Sequence, residues 1–293
     1  MGWERSRNSC SRNCWPRELG GHPLADYNNL IYEKKSDHVV KLTIQRPHVL
    51  NAIDYASIVE LKKAVFEIAA APEVRVVIIT GSGEKAFIVG ADQNELRLHL
   101  NDRERARAFE DCCRETFNLI DQLGKLSIAA VNGYAFGLGL QLALACTFRI
   151  VSFEARLGLP EINMGFFPSM GATQRLTRLI GEAKAIEMIV TGEPVDANEA
   201  YRVGLANRIV SSFELGPVVE DFALKLVEKS PVAVGYAIDA IRHEKVMALK
   251  EGLAYEARLS EECLKSEDAK KGMAAFGEAK KGVPTKTKND RID

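Results

Sequence analysis

The sequence predicts an α/β fold, and three observations carry that expectation. Runs of β-branched residues alternate with segments of helical spacing. One of those runs is apolar at almost every position, and glycines punctuate the steps from strand into helix.

In order along the chain, residues 31–34 and 38–45 read as strands joined at Ser36-Asp37 in a hairpin. Asp54 stands as an N-cap ahead of Ile58, Leu61, Val65 and Ile68, whose spacing predicts an amphipathic helix. Residues 75–80 read as a strand buried on both faces, because the run leaves no polar face. A helix over 103–123, a strand over 127–131, a helix over 140–147 and a strand over 149–152 continue the alternation. From Ala172 onward the strand pattern is confined to 206–210, and the remainder reads as helix, with Val219, Phe222 and Leu226 on one face. That helical third either packs on the core or reaches a neighbouring subunit. Residues 1–28 carry both tryptophans and no periodicity and are expected to form a disordered tail; 29–215 form the core, 216–284 the helical region, and 285–293 a charged, loose end.

Composition excludes several function classes. Lys and Arg number 39 against 40 Asp and Glu, so no overall field draws nucleic acid or an anionic membrane. The six cysteines have neither C-x-x-C spacing nor histidine-rich surroundings, which argues against a zinc site and a disulfide framework and for a reducing compartment. No apolar run reaches the roughly 18 residues of a membrane span. The expected setting is the cytoplasm.

Two glycine-marked turns stand out. In Gly81-Ser-Gly-Glu-Lys-Ala-Phe-Ile-Val-Gly-Ala-Asp-Gln-Asn-Glu95, Asp92-x-x-Glu95 matches a capping box, and Gly90 lets backbone approach a ligand. In Val131-Asn-Gly-Tyr-Ala-Phe-Gly-Leu-Gly-Leu-Gln-Leu142 a strand again runs through glycines into a helix, whose opening N–H groups near Leu138 are unsatisfied donors. Both turns can be read as backbone geometry alone. They can also be read as neighbours that aim the Ala91 and Leu138 N–H groups at one oxygen, an oxyanion hole. A dinucleotide fingerprint at Gly137-x-Gly139 lacks its third glycine, because Leu142 occupies that place. Glu161, in Gly158-Leu-Pro-Glu161-Ile-Asn-Met-Gly165, is either a solvated loop carboxylate or one whose apolar neighbours raise its pKa towards proton transfer. Met164, Phe166, Phe167 and Met170 crowd the next loop, either as ordinary core side chains or as the wall of an acyl pocket.

Taken together the segments resemble the enoyl-CoA hydratase/isomerase family, the crotonase superfamily, over residues 28–284. Arg46-Pro-x-x-Leu-Asn-Ala52, Gly90-Ala-Asp92, Val131-Asn-Gly-Tyr-Ala135, Pro160-Glu161, Gly171-Ala-Thr-Gln-Arg-Leu176, Thr191-Gly192 and Gly272-x-x-Ala-Phe276 match in order. The resemblance implies a crotonase-like spiral of β-β-α units with a helical C-terminal trimerisation region, in homotrimers or dimers of trimers. It implies an acyl-CoA thioester substrate, coenzyme A being part of that substrate, and neither a metal nor a separate cofactor. By position, Ala91 and Leu138 are the oxyanion-hole donors and Glu161 the proton-transferring group. Ala91, Asp92, Gln93, Asn94 and Leu138 line the CoA arm, and Phe276 and Lys280 help hold CoA, in some relatives from the adjacent subunit.

One departure bears on the reaction. Hydratases of the family pair two glutamates, and the first position holds Gln141 here. An amide can orient a water but cannot exchange a proton at neutral pH. Three readings follow. The first is an enoyl-CoA hydratase-like enzyme with Glu161 as acid/base and Gln141 holding the water. The second is a double-bond isomerase with Glu161 as its only shuttle. The third is a non-catalytic RNA-binding relative using Lys62-Lys63, Lys270-Lys271 and Lys280-Lys281, which the near-neutral charge opposes.

Overall fold

The computed structural model describes residues 27–244 and 246–281, the last five for their backbone only. The expectations for residues 1–26 and 282–293, and for the side chain of Lys280, lie outside the described residues.

Among the described residues ten strands form two sheets. The larger has the order β1 (Leu30–Ser36), β2 (Val39–Ile44), β3 (Val76–Gly81), β5 (Leu126–Val131), β7 (Phe148–Ser152), β10 (Arg208–Val210). The smaller has the order β4 (Ala86–Val89), β6 (Tyr134–Phe136), β8 (Arg156–Gly158), β9 (Val195–Asp196). All pairings are parallel except the β1–β2 hairpin and β8–β9. The hairpin turns at Asp37-His38, one residue later than its sequence suggests.

Each of β3, β5 and β7 lies in the large sheet and is followed at once by a strand of the small one, β4, β6 or β8, before a helical segment returns the chain. This is the β-β-α spiral. Its helices are α1 (Tyr55–Ala70), α2 (Gln93–His99), α3 (Arg103–Asp121), α4 (Leu138–Ala145), α5 (Ala172–Ile180), α6 (Glu182–Thr191) and α7 (Ala197–Arg202). Asp54 caps α1 as expected, accepting from Ser57 N at 2.8 Å, and Ile58, Leu61, Val65 and Ile68 are all buried. Side chains alternate across β3: Val77 and Ile79 join the main core beside α1 and α3, while Val76 and Ile78 join a second cluster under α8 (Ser212–Val227). Both faces of this strand are therefore dry, which is why its sequence shows no polar alternation.

The helical region begins at Ser212, so α8 extends across the expected boundary at residue 216. Leu215, Val219 and Ala223 bury against the large sheet, with Phe222 and Leu226 packed at the edge of that cluster. Beyond α8, α9 (Pro231–Glu244), α10 (Leu249–Leu264) and α11 (Glu267–Lys281) pack on one another. Ile241, Leu249, Leu253, Leu264 and Met273 stay exposed. Among the described residues no helix is long and apolar enough to cross a membrane.

Candidate active site

The small sheet positions the site. Its parallel register aligns Val89 with Phe136 and Phe136 with Gly158, so three strands end at one edge. From that edge β4 leads through Gly90 to Ala91, β6 through Gly137 to Leu138, and β8 through Leu159 to Glu161. Side chains and loops beyond the carboxyl ends of parallel strands face a common crevice.

Two features bring the glycine turns together. Gly139 lets α4 press onto β4, where a Cβ on this glycine would stand 2.1 Å from Ile88 O. Gly137 holds φ +53° and ψ −119°, a backbone that glycine alone adopts readily, and its N–H donates to Gly158 O at 3.0 Å. A Cβ on Gly137 would lie 3.5 Å from Gly90 Cα and 3.3 Å from Glu161 Oε1, so the two turns and the carboxyl meet there.

The orientation of Ala91 N–H follows from its neighbours. Ile53 N donates to Gly90 O at 2.9 Å and Asp92 N donates to Ile53 O at 2.8 Å, a parallel bridge in which Ala91 turns its own N–H away from Ile53. Leu138 is the first residue of α4, and the first bond of that helix runs from Gln141 N to Gly137 O, so Leu138 N–H precedes the helical ladder. The donors at both positions are backbone groups, and the buried Leu138 side chain belongs to the main core.

Glu161 sits in a short 3₁₀ segment, Pro160–Met164, and is 6% exposed. Burial pushes its carboxyl above the ordinary glutamate value, and hydrogen bonds to backbone and to Gln141 draw it only partly back. Gln141 Nε2 donates to Glu161 Oε1 at 2.9 Å, while Met170 N donates to Gln141 Oε1 at 2.8 Å. The backbone donor fixes which end of the amide is the oxygen. Glu161 Oε2 is buried with no partner among the described residues. A desolvated carboxyl with one oxygen anchored and one unengaged, beside two outward N–H groups, can move a proton next to an oxygen that gathers negative charge.

The other expected residues divide. Gln93 and Asn94 are exposed in the first turn of α2. Asp92 is turned inward: it caps Asn94 N at 2.8 Å and pairs with Arg46 at 3.0 Å, so its carboxylate is not presented to a ligand. The capping box does not form, because Glu95 is drawn into the interior by Tyr55 N at 3.1 Å and Arg105 Nε at 2.9 Å. Phe276 is exposed on α11, whose main packing partners are α9 and α10, and is not gathered with this cluster. Of the four bulky residues after Glu161 only Met170 is a core side chain; Met164, Phe166 and Phe167 are exposed. Lys62 pairs with Glu115 at 2.5 Å and Lys270 with Glu267 at 2.7 Å, which offsets their charge. Among the described residues no group of three or more His, Cys, Asp or Glu side chains converges as a metal site.

Sequence reading missed the pins of the first turn. Asn51 Nδ2 donates to Ser82 O and Ala86 O, both at 2.9 Å, and Asn132 Nδ2 donates to Gly83 O at 2.7 Å. Both asparagines lie inside recognisable motifs, and asparagine beside a turn was the available signal.

Comparison with known proteins agrees with this geometry. The family model described as enoyl-CoA hydratase/isomerase matches residues 34–285. A short-chain-enoyl-CoA hydratase of Clostridium acetobutylicum is 40% identical over 87% of this chain and 97% of its own length. A crotonyl-CoA hydratase of Syntrophomonas wolfei is 38% identical over the same shares. The crystal structure of an enoyl-CoA hydratase from Bacillus anthracis superposes with a TM-score of 0.82 at 36% identity, covering 86% of this chain and 97% of that one. Sequence, fold and the arrangement of the three strand ends converge on one assignment: the chain is an enzyme of the enoyl-CoA hydratase/isomerase family, the crotonase superfamily.

Proposed function

We propose that this enzyme adds water across the double bond of a 2-enoyl-CoA thioester. The observation that carries the reading is the buried Glu161 carboxyl, one oxygen unengaged, beside the Ala91 and Leu138 turns. The hydratase names of relatives 38–40% identical support it. The thioester oxygen accepts from the Ala91 and Leu138 N–H groups. Water oxygen bonds to the β-carbon as Glu161 takes a proton from that water, the electron pair of the double bond moves into a thioester enolate, and Glu161 returns a proton to the α-carbon. One water is consumed, and the carboxyl ends as it began. Each oxyanion donor contributes about 2.7–4 kcal/mol to such a transition state.

In this reading Gln141 orients Glu161, and its second Nε2 hydrogen is left for the attacking water. Gln93 and Asn94 flank the CoA arm. The exposed apolar faces of α9, α10 and α11 are covered by neighbouring copies in a homotrimer or dimer of trimers, which brings Phe276 and Lys280 to an adjacent site. The setting is cytoplasmic. A second reading rests on Gln141 itself: with one carboxyl in the pair, Glu161 could instead remove and return a proton in a 1,3 shift of the double bond.

Incubation with crotonyl-CoA and, separately, trans-3-hexenoyl-CoA, followed by mass-resolved chromatography, tests both. A crotonyl-CoA product heavier by one water is the expected result. An equal-mass product from the 3-enoyl substrate with crotonyl-CoA untouched overturns hydration in favour of isomerisation.

A further inference from the structure

Arg46 lies in the first sequence motif, at the end of β2, yet neither the proton transfer nor the thioester contacts use it. Its side chain is only 12% exposed, and the guanidinium makes three contacts. Nη2 is 3.0 Å from Asp54 Oδ2 and 3.0 Å from Asp92 Oδ2, and Nη1 donates to Ala52 O at 2.5 Å.

Each contact fixes something different. The other oxygen of Asp54 caps α1 through Ser57 N, and the other oxygen of Asp92 caps α2 through Asn94 N, so one guanidinium ties two helix starts together. Between them runs the Ile53–Ala91 bridge, with Ala52 immediately before it. Ala91 is thus held on one side by the bridge to Ile53 and on the other by Asp92, and Arg46 grips the residues next to both. Without it, the Ala52–Ile53 peptide that donates to Gly90 O loses the donor on its carbonyl, and Asp92 becomes a nearly buried carboxylate with no cation. Ala52 O and Ile53 N–H belong to one peptide, and Gly90 O and Ala91 N–H to another, so the grip of Arg46 Nη1 on Ala52 O passes through the Ile53 N–H bond to Gly90 O into the plane that carries Ala91 N–H.

We propose that Arg46 is a positioning residue for the oxyanion hole, its guanidinium held by Asp92 and acting through the Ala52 carbonyl to set the direction of Ala91 N–H. This rests on the reading of Ala91 and Leu138 as the thioester-oxygen donors. Lysine is a poor substitute, because a single ammonium cannot span Asp54, Asp92 and the Ala52 carbonyl as a planar guanidinium does. Misplacement of a catalytic group by about 1 Å can lower a rate by about 100-fold.

The test combines kinetics with a probe of the carbonyl itself. Butyryl-CoA labelled with ¹³C at the thioester carbonyl lacks the double bond and stays unreacted, and its carbonyl stretch reports the hydrogen bonds it receives. In the unaltered enzyme the stretch is expected to move to lower frequency on binding. In Arg46→Met that shift should shrink, kcat for crotonyl-CoA should fall about 10- to 100-fold, and KM should stay within about twofold. Asp92→Asn should behave alike, and the double variant should be no slower than the slower single one, since both act through one linkage. Arg46→Lys, which keeps the charge, should also give a reduced shift and supplies the answer where Arg46→Met does not fold. An unchanged shift in the variants, a kcat within about twofold of the unaltered enzyme, or additive losses in the double variant overturns the role of Arg46 alone. Absence of any shift in the unaltered enzyme overturns the oxyanion-hole reading and this inference with it.

Discussion

Gln141 holds Glu161 by a single amide hydrogen bond of 2.9 Å, and the other end of that amide is held in turn by the backbone N–H of Met170 at 2.8 Å. The chain Met170–Gln141–Glu161 therefore has a fixed direction, donor to acceptor, ending on Glu161 Oε1. It leaves Oε2 buried with no hydrogen-bond partner among the described residues. A neutral amide stabilises the carboxylate less than a cation would, so burial dominates and the carboxyl stays above its ordinary pKa.

Replacing Glu161 by Gln keeps size and hydrogen-bonding shape but removes proton exchange. The expected outcome is a fall in kcat of about 10²–10⁴-fold, the usual contribution of a general acid/base, with butyryl-CoA affinity changed little. Steady-state rates and a calorimetric titration measure the two quantities, and a variant retaining full activity would remove Glu161 from the mechanism.

The same substitution has a stability signature whose sign follows from linkage. A raised folded-state pKa means the native protein holds a proton that the unfolded chain has released, from about pH 4.3, the ordinary glutamate value, up to the folded pKa. Over that window stability falls as pH rises, and the loss is complete above the folded value. Glu161→Gln escapes this loss. Its melting temperature should exceed that of the parent at pH 7, and the two should converge as the pH is lowered towards 4. A parent more stable than the variant at pH 7 would contradict the desolvation of Glu161.

Gln141→Glu places a second carboxyl within hydrogen-bond distance of the first. Two carboxylates at that separation cannot both ionise freely, so the pair should share a proton and its upper apparent pKa should rise. Hydration of crotonyl-CoA should accelerate as one carboxyl activates water while the other delivers the proton. The pH–rate profile of kcat should move its acid–base limbs apart. An unchanged rate and profile would show that the amide already supplies what the water needs.

Some elements were legible because their signals are local. Ile58, Leu61, Val65 and Ile68 repeat at the helical period and Asp54 is a good N-cap, and α1 starts there. The apolar run of β3 marked a strand covered on both sides, and the structure covers it with α8 on one face. The small sheet was invisible in advance. Its strands are two to four residues long, they lie in glycine-rich stretches that read as turns, and alternation over three residues carries no information. Met164, Phe166 and Phe167 misled in the other direction, because bulky apolar residues in a loop resemble core side chains whether or not the fold covers them.

By itself the sequence determined the residue types that chemistry needs and the local backbone around them. Glycines stand at positions 90 and 137 where φ is positive, a helix begins after the second, and a lone glutamate sits among apolar neighbours. It also determined that position 141 carries a neutral amide and not a carboxyl. Only the tertiary structure decided that these pieces meet. The register of β4, β6 and β8 sets three strand ends side by side, contacts between segments up to some 70 residues apart that no local pattern encodes. The same holds for charge: Asp92, expected to face CoA, is turned inward because Arg46, 46 positions earlier, lies within 3.0 Å of it. A buried ion pair forms where the fold brings opposite charges together out of water, and spacing along the chain does not reveal which acid a given arginine will meet.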